Sequence, residues 1–141
     1  ETIGDSSITS EEGRFNGGNI PNASESSRFP DVRFEYDSSA VRQSDYEIVR
    51  QTSKVVSQDP SLHVELEGHC DRRGTAEYNL ALGEERAKAV AALMVSFGAN
   101  PGQLSTISYG EEIPLDPSDS DAAYEKNRRV HFAVYRKGAS R

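Results

Sequence analysis

Between Val32 and Leu66 the hydrophobic period switches from two residues to a helical repeat and back, and this switching restricts the chain to folds that pack helices on a sheet. Val32, Phe34 and Tyr36 alternate with Arg33, Glu35 and Asp37, as in a strand with one buried face. Ile48, Thr52, Val55 and Val56 recur at helical spacing. Ser44 and Glu47 stand before them at the spacing of a capping box, and Asp59-Pro60 stops the helix. Leu62, Val64 and Leu66 then alternate with His63, Glu65 and Glu67, with Gly68 at the strand's end. This order predicts a strand-helix-strand unit with a right-handed crossover.

Downstream, a long helix is predicted from Ala76, or a few residues later, to Phe97. Ala87, Val90, Met94 and Phe97 fall on one face of it, Glu84, Glu85 and Lys88 on the other, and Gly98 and Pro101 close it. A strand over Leu104 to Tyr109, a loop with Pro114 and Pro117, a short helix from Asp121 through Asn127 and a strand over Val130 to Tyr135 follow. The expected fold is a two-layer α/β (α+β) sandwich of residues 31–136. Residues 1–30, rich in Ser, Gly, Asn and Glu, read as a flexible tether or a frayed terminus, and 137–141 as a tail.

A length of 141 residues suits one domain. The net charge of −7 argues against nucleic acid and against an anionic membrane surface as partners. An acidic ligand would therefore need a local cluster of arginines. No apolar run approaches the roughly 20 residues that span a bilayer, and no signal-peptide pattern opens the chain. Cys70 is the single cysteine, so no internal disulfide forms.

The loop Gly68-His69-Cys70-Asp71-Arg72-Arg73-Gly74-Thr75 leaves the carboxyl end of a strand and enters a helix, a usual place for ligands in α/β proteins. An enzyme built on His69, Cys70 and Asp71 is disfavoured, because consecutive residues of an extended chain face opposite ways. A metal site from His63, His69 and His131 lacks closely paired ligands. Those histidines read as strand residues, and Leu93, Met94 and Phe97 as core.

The run Glu67-Gly68-His69-Cys70-Asp71-Arg72-Arg73-Gly74-Thr75-Ala76-Glu77-Tyr78-Asn79, with Leu82-Gly83-Glu84 and Arg86-Ala87 after it, resembles the OmpA-like domain of the peptidoglycan-associated lipoproteins. Ser108-Tyr109-Gly110-Glu111-Glu112 with Pro114, Ala122-Ala123-Tyr124 and Asn127-Arg128-Arg129-Val130 are similar to later blocks of that family in the same order. The resemblance covers about Val32 to Tyr135. It implies a mixed four-stranded sheet of βαβαβ type, with two main helices on one face and a short third helix. It also implies non-catalytic binding of the diaminopimelate-containing peptide of peptidoglycan, without cofactor or metal.

Carried over residue by residue, the ligand pair falls on Asp71 and Arg86. A carboxylate suits the ammonium of a zwitterionic ligand end, and a guanidinium suits its carboxylate in fork geometry. About ten helical residues span about 15 Å, so the loop has to fold back for the two to meet. Asp37, Tyr36, Arg73, Tyr78 and Leu82 belong to the same implied surface, with Asn127 and Arg128 framing it, though Arg128 reads equally as a structural brace for carbonyls at the start of a strand. At position 72 the family commonly has glutamate, and Arg72 departs from it. The implied partners are TolB-like and other Tol-system proteins, and the outer membrane through a lipid anchor upstream of this chain. The implied location is the periplasmic face of that membrane. The competing reading keeps the fold but makes it an interaction domain for protein partners, as in other outer-membrane or flagellar-motor proteins.

Overall fold

The computed structural model describes residues 29–136. The expected tether lies outside the described residues except for its last two positions, and the expected tail lies wholly outside them. Among the described residues, β1 (Val32–Arg33), β2 (Leu62–His69), β3 (Leu104–Gly110) and β4 (Arg129–Arg136) form one sheet in the order β1-β4-β2-β3. Helices α1 (Tyr46–Gln58), α2 (Ala76–Ser96) and α3 (Asp121–Asn127) intervene, with 3-10 turns at Gln43–Asp45 and Pro101–Gln103. No described helix is long and apolar enough to cross a membrane.

β2 runs parallel to β3 and antiparallel to β4, which pairs antiparallel with β1. The parallel neighbours are thus joined by α2. The crossover through α1 connects strands that β4 separates. Leu62, Val64 and Leu66 of β2 pack with Val130, Phe132 and Val134 of β4 and with Ala87, Val90 and Met94 of α2. Each fully buried Val, Leu or Phe contributes roughly 1.5–3 kcal/mol relative to exposure.

Three expectations are corrected. The alternation beginning at Val32 yields a strand of only two residues: Phe34 N–H still bonds Arg128 C=O at 3.0 Å, but Asp37, at φ 55°, turns the chain away. Ser44 and Glu47 form no capping box. Ser44 lies inside the 3-10 turn, and Glu47 accepts instead from Arg50 and Gln51. Gly68 does not end β2, which continues to His69. Its role is clearance, because a Cβ there would lie 1.8 Å from the Gly83 carbonyl oxygen.

α2 begins at Thr75, whose hydroxyl accepts from Tyr78 N–H at 3.1 Å. It ends in a Schellman motif: Gly98 takes φ 105°, Gly98 N–H bonds Val95 C=O, and Ala99 N–H bonds Met94 C=O. Pairing between β2 and β3 shifts register between Gly68 and His69, so Tyr109 is passed over and His69 sits opposite Gly110. The irregularity ends the ladder where the loop toward α2 begins.

Two glycine substitutions separate close approach from backbone conformation. Gly68→Ala must push α2 off β2 and is expected to cost about 3 kcal/mol or more. Gly98→Ala meets nothing within 4 Å, so its cost is that of the left-handed backbone, about 1–2 kcal/mol. Urea unfolding midpoints of the two variants check the ordering, and equal costs would contradict it.

Candidate functional site

The carboxyl end of β2, the first turns of α2 and the turn after β1 enclose a cavity of about 50 Å³. Tyr36, Asp37, Asp71, Arg73, Tyr78, Leu82 and Arg86 line it, so seven of the nine predicted site residues converge. Cys70, Gly74 and Asn79 complete the wall. The loop does fold back: Arg86 Nη1 donates to His69 C=O at 2.9 Å, across 17 residues of sequence. The Gly68–Gly83 contact permits this by laying α2 directly on β2, within one turn of Arg86.

Asp71 is 4% exposed, and donors occupy both its carboxylate oxygens. Oδ1 accepts from the backbone N–H of Arg73 at 3.0 Å and from its Nε at 3.1 Å. Oδ2 accepts from Arg73 Nη2 at 2.8 Å and Arg128 Nη1 at 3.3 Å. Burial opposes ionisation of this carboxyl, but the Arg73 and Arg128 bonds together outweigh it and hold its pKa below the ordinary value.

Arg86 is 1% exposed, and burial pulls the pKa of its guanidinium down. Besides His69 C=O it donates through Nε to Ser38 C=O at 2.8 Å and through Nη2 to Glu35 C=O at 3.2 Å. Three of its five N–H groups thus tie the turn after β1 to the end of β2. Asp37, in that turn, accepts a short hydrogen bond from the Tyr78 hydroxyl.

Arg128 bonds Asp71 and also braces Phe34 C=O through Nε at 2.8 Å. Asn127 does not reach the cavity. Its side chain accepts from Leu115 and Asp116 N–H and donates to Asp116 C=O, holding the loop before α3. Tyr124 and Asn79 were not among the predicted site residues. The Tyr124 ring covers the Arg73 guanidinium at 4.4 Å, opposite Tyr36 at 4.3 Å. Asn79 Nδ2 donates to Arg73 C=O at 2.9 Å and Glu111 Oε1 at 2.5 Å. Both lie in the motif blocks, but sequence spacing alone does not show which block residues face inward.

Cys70 is buried, its Sγ is 3.2 Å from Asn79 C=O, and burial pushes its pKa up to about 11, unlike an activated nucleophile. His69 points to the other face of the sheet, stacked on Tyr109, and burial lowers its pKa. A wider depression of about 520 Å³ on that face is lined by His69, Glu67, Arg129 and His131 among others, and by none of the predicted site residues. Among the described residues no group of three or more His, Cys, Asp or Glu could hold a metal ion.

The pattern of the OmpA family matches residues 33–128. The peptidoglycan-associated lipoprotein of Pasteurella multocida is 40% identical over 106 residues, which are 75% of this chain and 71% of that protein. The Pseudomonas putida protein of the same name is 43% identical over 99 residues, 70% of this chain but only 59% of the relative. The crystal structure of the peptidoglycan-associated lipoprotein from Burkholderia pseudomallei superposes with a TM-score of 0.73 at 33% identity, covering 74% of this chain and 88% of that one. The C-terminal domain of Helicobacter pylori MotB gives a TM-score of 0.72 at 27% identity, covering 79% and 88%. The matched stretch contains every residue that lines the cavity, and on that basis the chain belongs to the OmpA family, among the peptidoglycan-associated lipoproteins.

Proposed function

We propose that the cavity binds the diaminopimelate end of a peptidoglycan stem peptide without catalysis, and that the domain thereby tethers the outer membrane to the cell wall. The observation that carries this reading is the meeting of Asp71 and Arg86, 15 positions apart, in one enclosure rimmed by Tyr36, Asp37 and Tyr78. A carboxylate and a guanidinium side by side are complementary to a ligand end that carries both an ammonium and a carboxylate. The names and coverage of the relatives support the same ligand class. On this reading the full-length protein carries a lipid anchor upstream and works within a Tol-Pal type system, with a TolB-like protein as a partner at the periplasmic face.

The test is co-sedimentation with purified diaminopimelate-type cell wall. The domain is expected to pellet with the wall, and folded Asp71→Ala and Arg86→Ala variants to lose at least about tenfold in affinity, as for removal of one charge-assisted contact. Circular dichroism confirms that each variant is folded. Failure of the unaltered domain to bind would overturn the proposal and favour a module for protein partners.

The depressed pKa of Asp71 sets a pH profile. A carboxyl whose folded pKa lies below its unfolded value near 3.9 stays ionised above that value and loses its contribution as pH falls through the folded pKa. Wall binding should therefore be flat from pH 7 to about 5 and fall only below about 4. A midpoint near pH 6 would implicate a histidine and remove Asp71 from the recognition step.

A further inference from the structure

Asp71 has no acceptor site to give. Its two oxygens receive four hydrogen bonds, three of them from Arg73, and an ionised carboxylate offers about four lone-pair sites. The cavity beside it is about 50 Å³, far short of the roughly 300 Å³ at which small-molecule sites begin. An incoming ammonium must therefore displace one of the two arginines.

The two differ in how they are held. The Arg128 side chain is 13% exposed and tied through Nε to Phe34 C=O. The Arg73 side chain is 39% exposed. Beyond Asp71 its guanidinium is held by the faces of Tyr36 and Tyr124. Such contacts orient a cation without fixing its hydrogen bonds. Arg73 can leave Asp71 and remain at the cavity mouth between the two rings.

We propose that Arg73 is an internal stand-in for the ligand's cation, and that binding proceeds by exchange. The ligand ammonium takes the Asp71 positions held by Arg73 Nε and Nη2, and the released guanidinium, steadied by Tyr36 and Tyr124, joins Arg86 of the same cavity on the ligand's carboxylate. The two ion pairs of Asp71 become three once the ligand's carboxylate is counted, and no buried charge is left unpaired at the end of the exchange. A ligand with an ammonium and no neighbouring carboxylate would displace Arg73 and give it nothing in return. The exchange therefore makes Arg73 a specificity-determining residue that selects a zwitterionic end over a simple amine. This inference rests on the proposed function for the identity of the ligand.

The experiment compares two soluble stem peptides by isothermal titration calorimetry, one with meso-diaminopimelate and one with lysine at the same position. Both are titrated into the unaltered domain, Arg73→Ala and Arg73→Lys, each checked for folding by its thermal melt. The unaltered domain should prefer the diaminopimelate peptide by about tenfold or more, the scale of one charge-assisted pair. Arg73→Ala should weaken the diaminopimelate peptide by about tenfold and strengthen the lysine peptide by a few-fold, collapsing the preference. Arg73→Lys, which keeps the charge and loses the fork, should fall between, and it carries the test alone if the alanine variant does not fold. Equal weakening of both peptides, equal strengthening of both, or no change would overturn the exchange while leaving the proposed function in place. An unaltered domain that binds neither peptide would overturn the proposed function, and this inference with it.

Discussion

The close contact between Gly68 and Gly83 is the constraint on which the rest of the site depends. With no Cβ on either residue, the backbone of α2 rests on the backbone of β2. Arg86, one turn further along the helix, then lies within reach of carbonyls in the turn after β1 and at the end of β2. Its guanidinium is the fastener. Bonds to Glu35, Ser38 and His69 carbonyls hold the turn after β1 against the end of β2, and that turn brings Tyr36 and Asp37 to the cavity. An arginine this deeply buried is tolerated because its N–H groups meet carbonyl oxygens and Asp71 lies nearby.

The same arrangement explains how a chain of net charge −7 can hold an acidic group. Arg73, Arg86 and Arg128 gather around one buried carboxylate, so the local balance is positive while the whole is not. At short range in a poorly hydrated site, these neighbours outweigh charges that solvent and salt screen from a distance. Part of that positive charge is already spent on backbone carbonyls. On the proposed reading, Arg86 and Arg128 thus serve structure and recognition at once.

Much of the fold was legible because it rests on period. The alternations of β2 and β4 and the long repeat of α2 are set by which side chains reach the core, and the structure places those elements close to their predicted bounds. What was not legible rests on long-range geometry. Ser44 and Glu47 have the spacing of a cap, but an i, i+3 pair with Arg50 competes for Glu47. Gly68 has the look of a terminator, and only the approach of Gly83 from 15 positions away shows why it is glycine. Within the site, the family motif brought Asp71 and Arg86 together as expected. It did not show that Arg73 saturates Asp71, that Tyr124 caps Arg73, or that Asn127 turns away to hold its own loop, since those depend on rotamers chosen by neighbours distant in sequence.

The buried thiol of Cys70 has a consequence for handling as well as for structure. In an oxidising compartment a chain with one cysteine is open to dimerising through it. Burial pushes the Cys70 pKa up to about 11, so little of the thiol is ionised at pH 7, and the sulfur sits behind the first turn of α2. Cross-linking and alkylation are correspondingly slow while the domain stays folded. Modification of Cys70 therefore reports opening of the site itself, and a cysteine introduced on the surface can be labelled without first removing the native one.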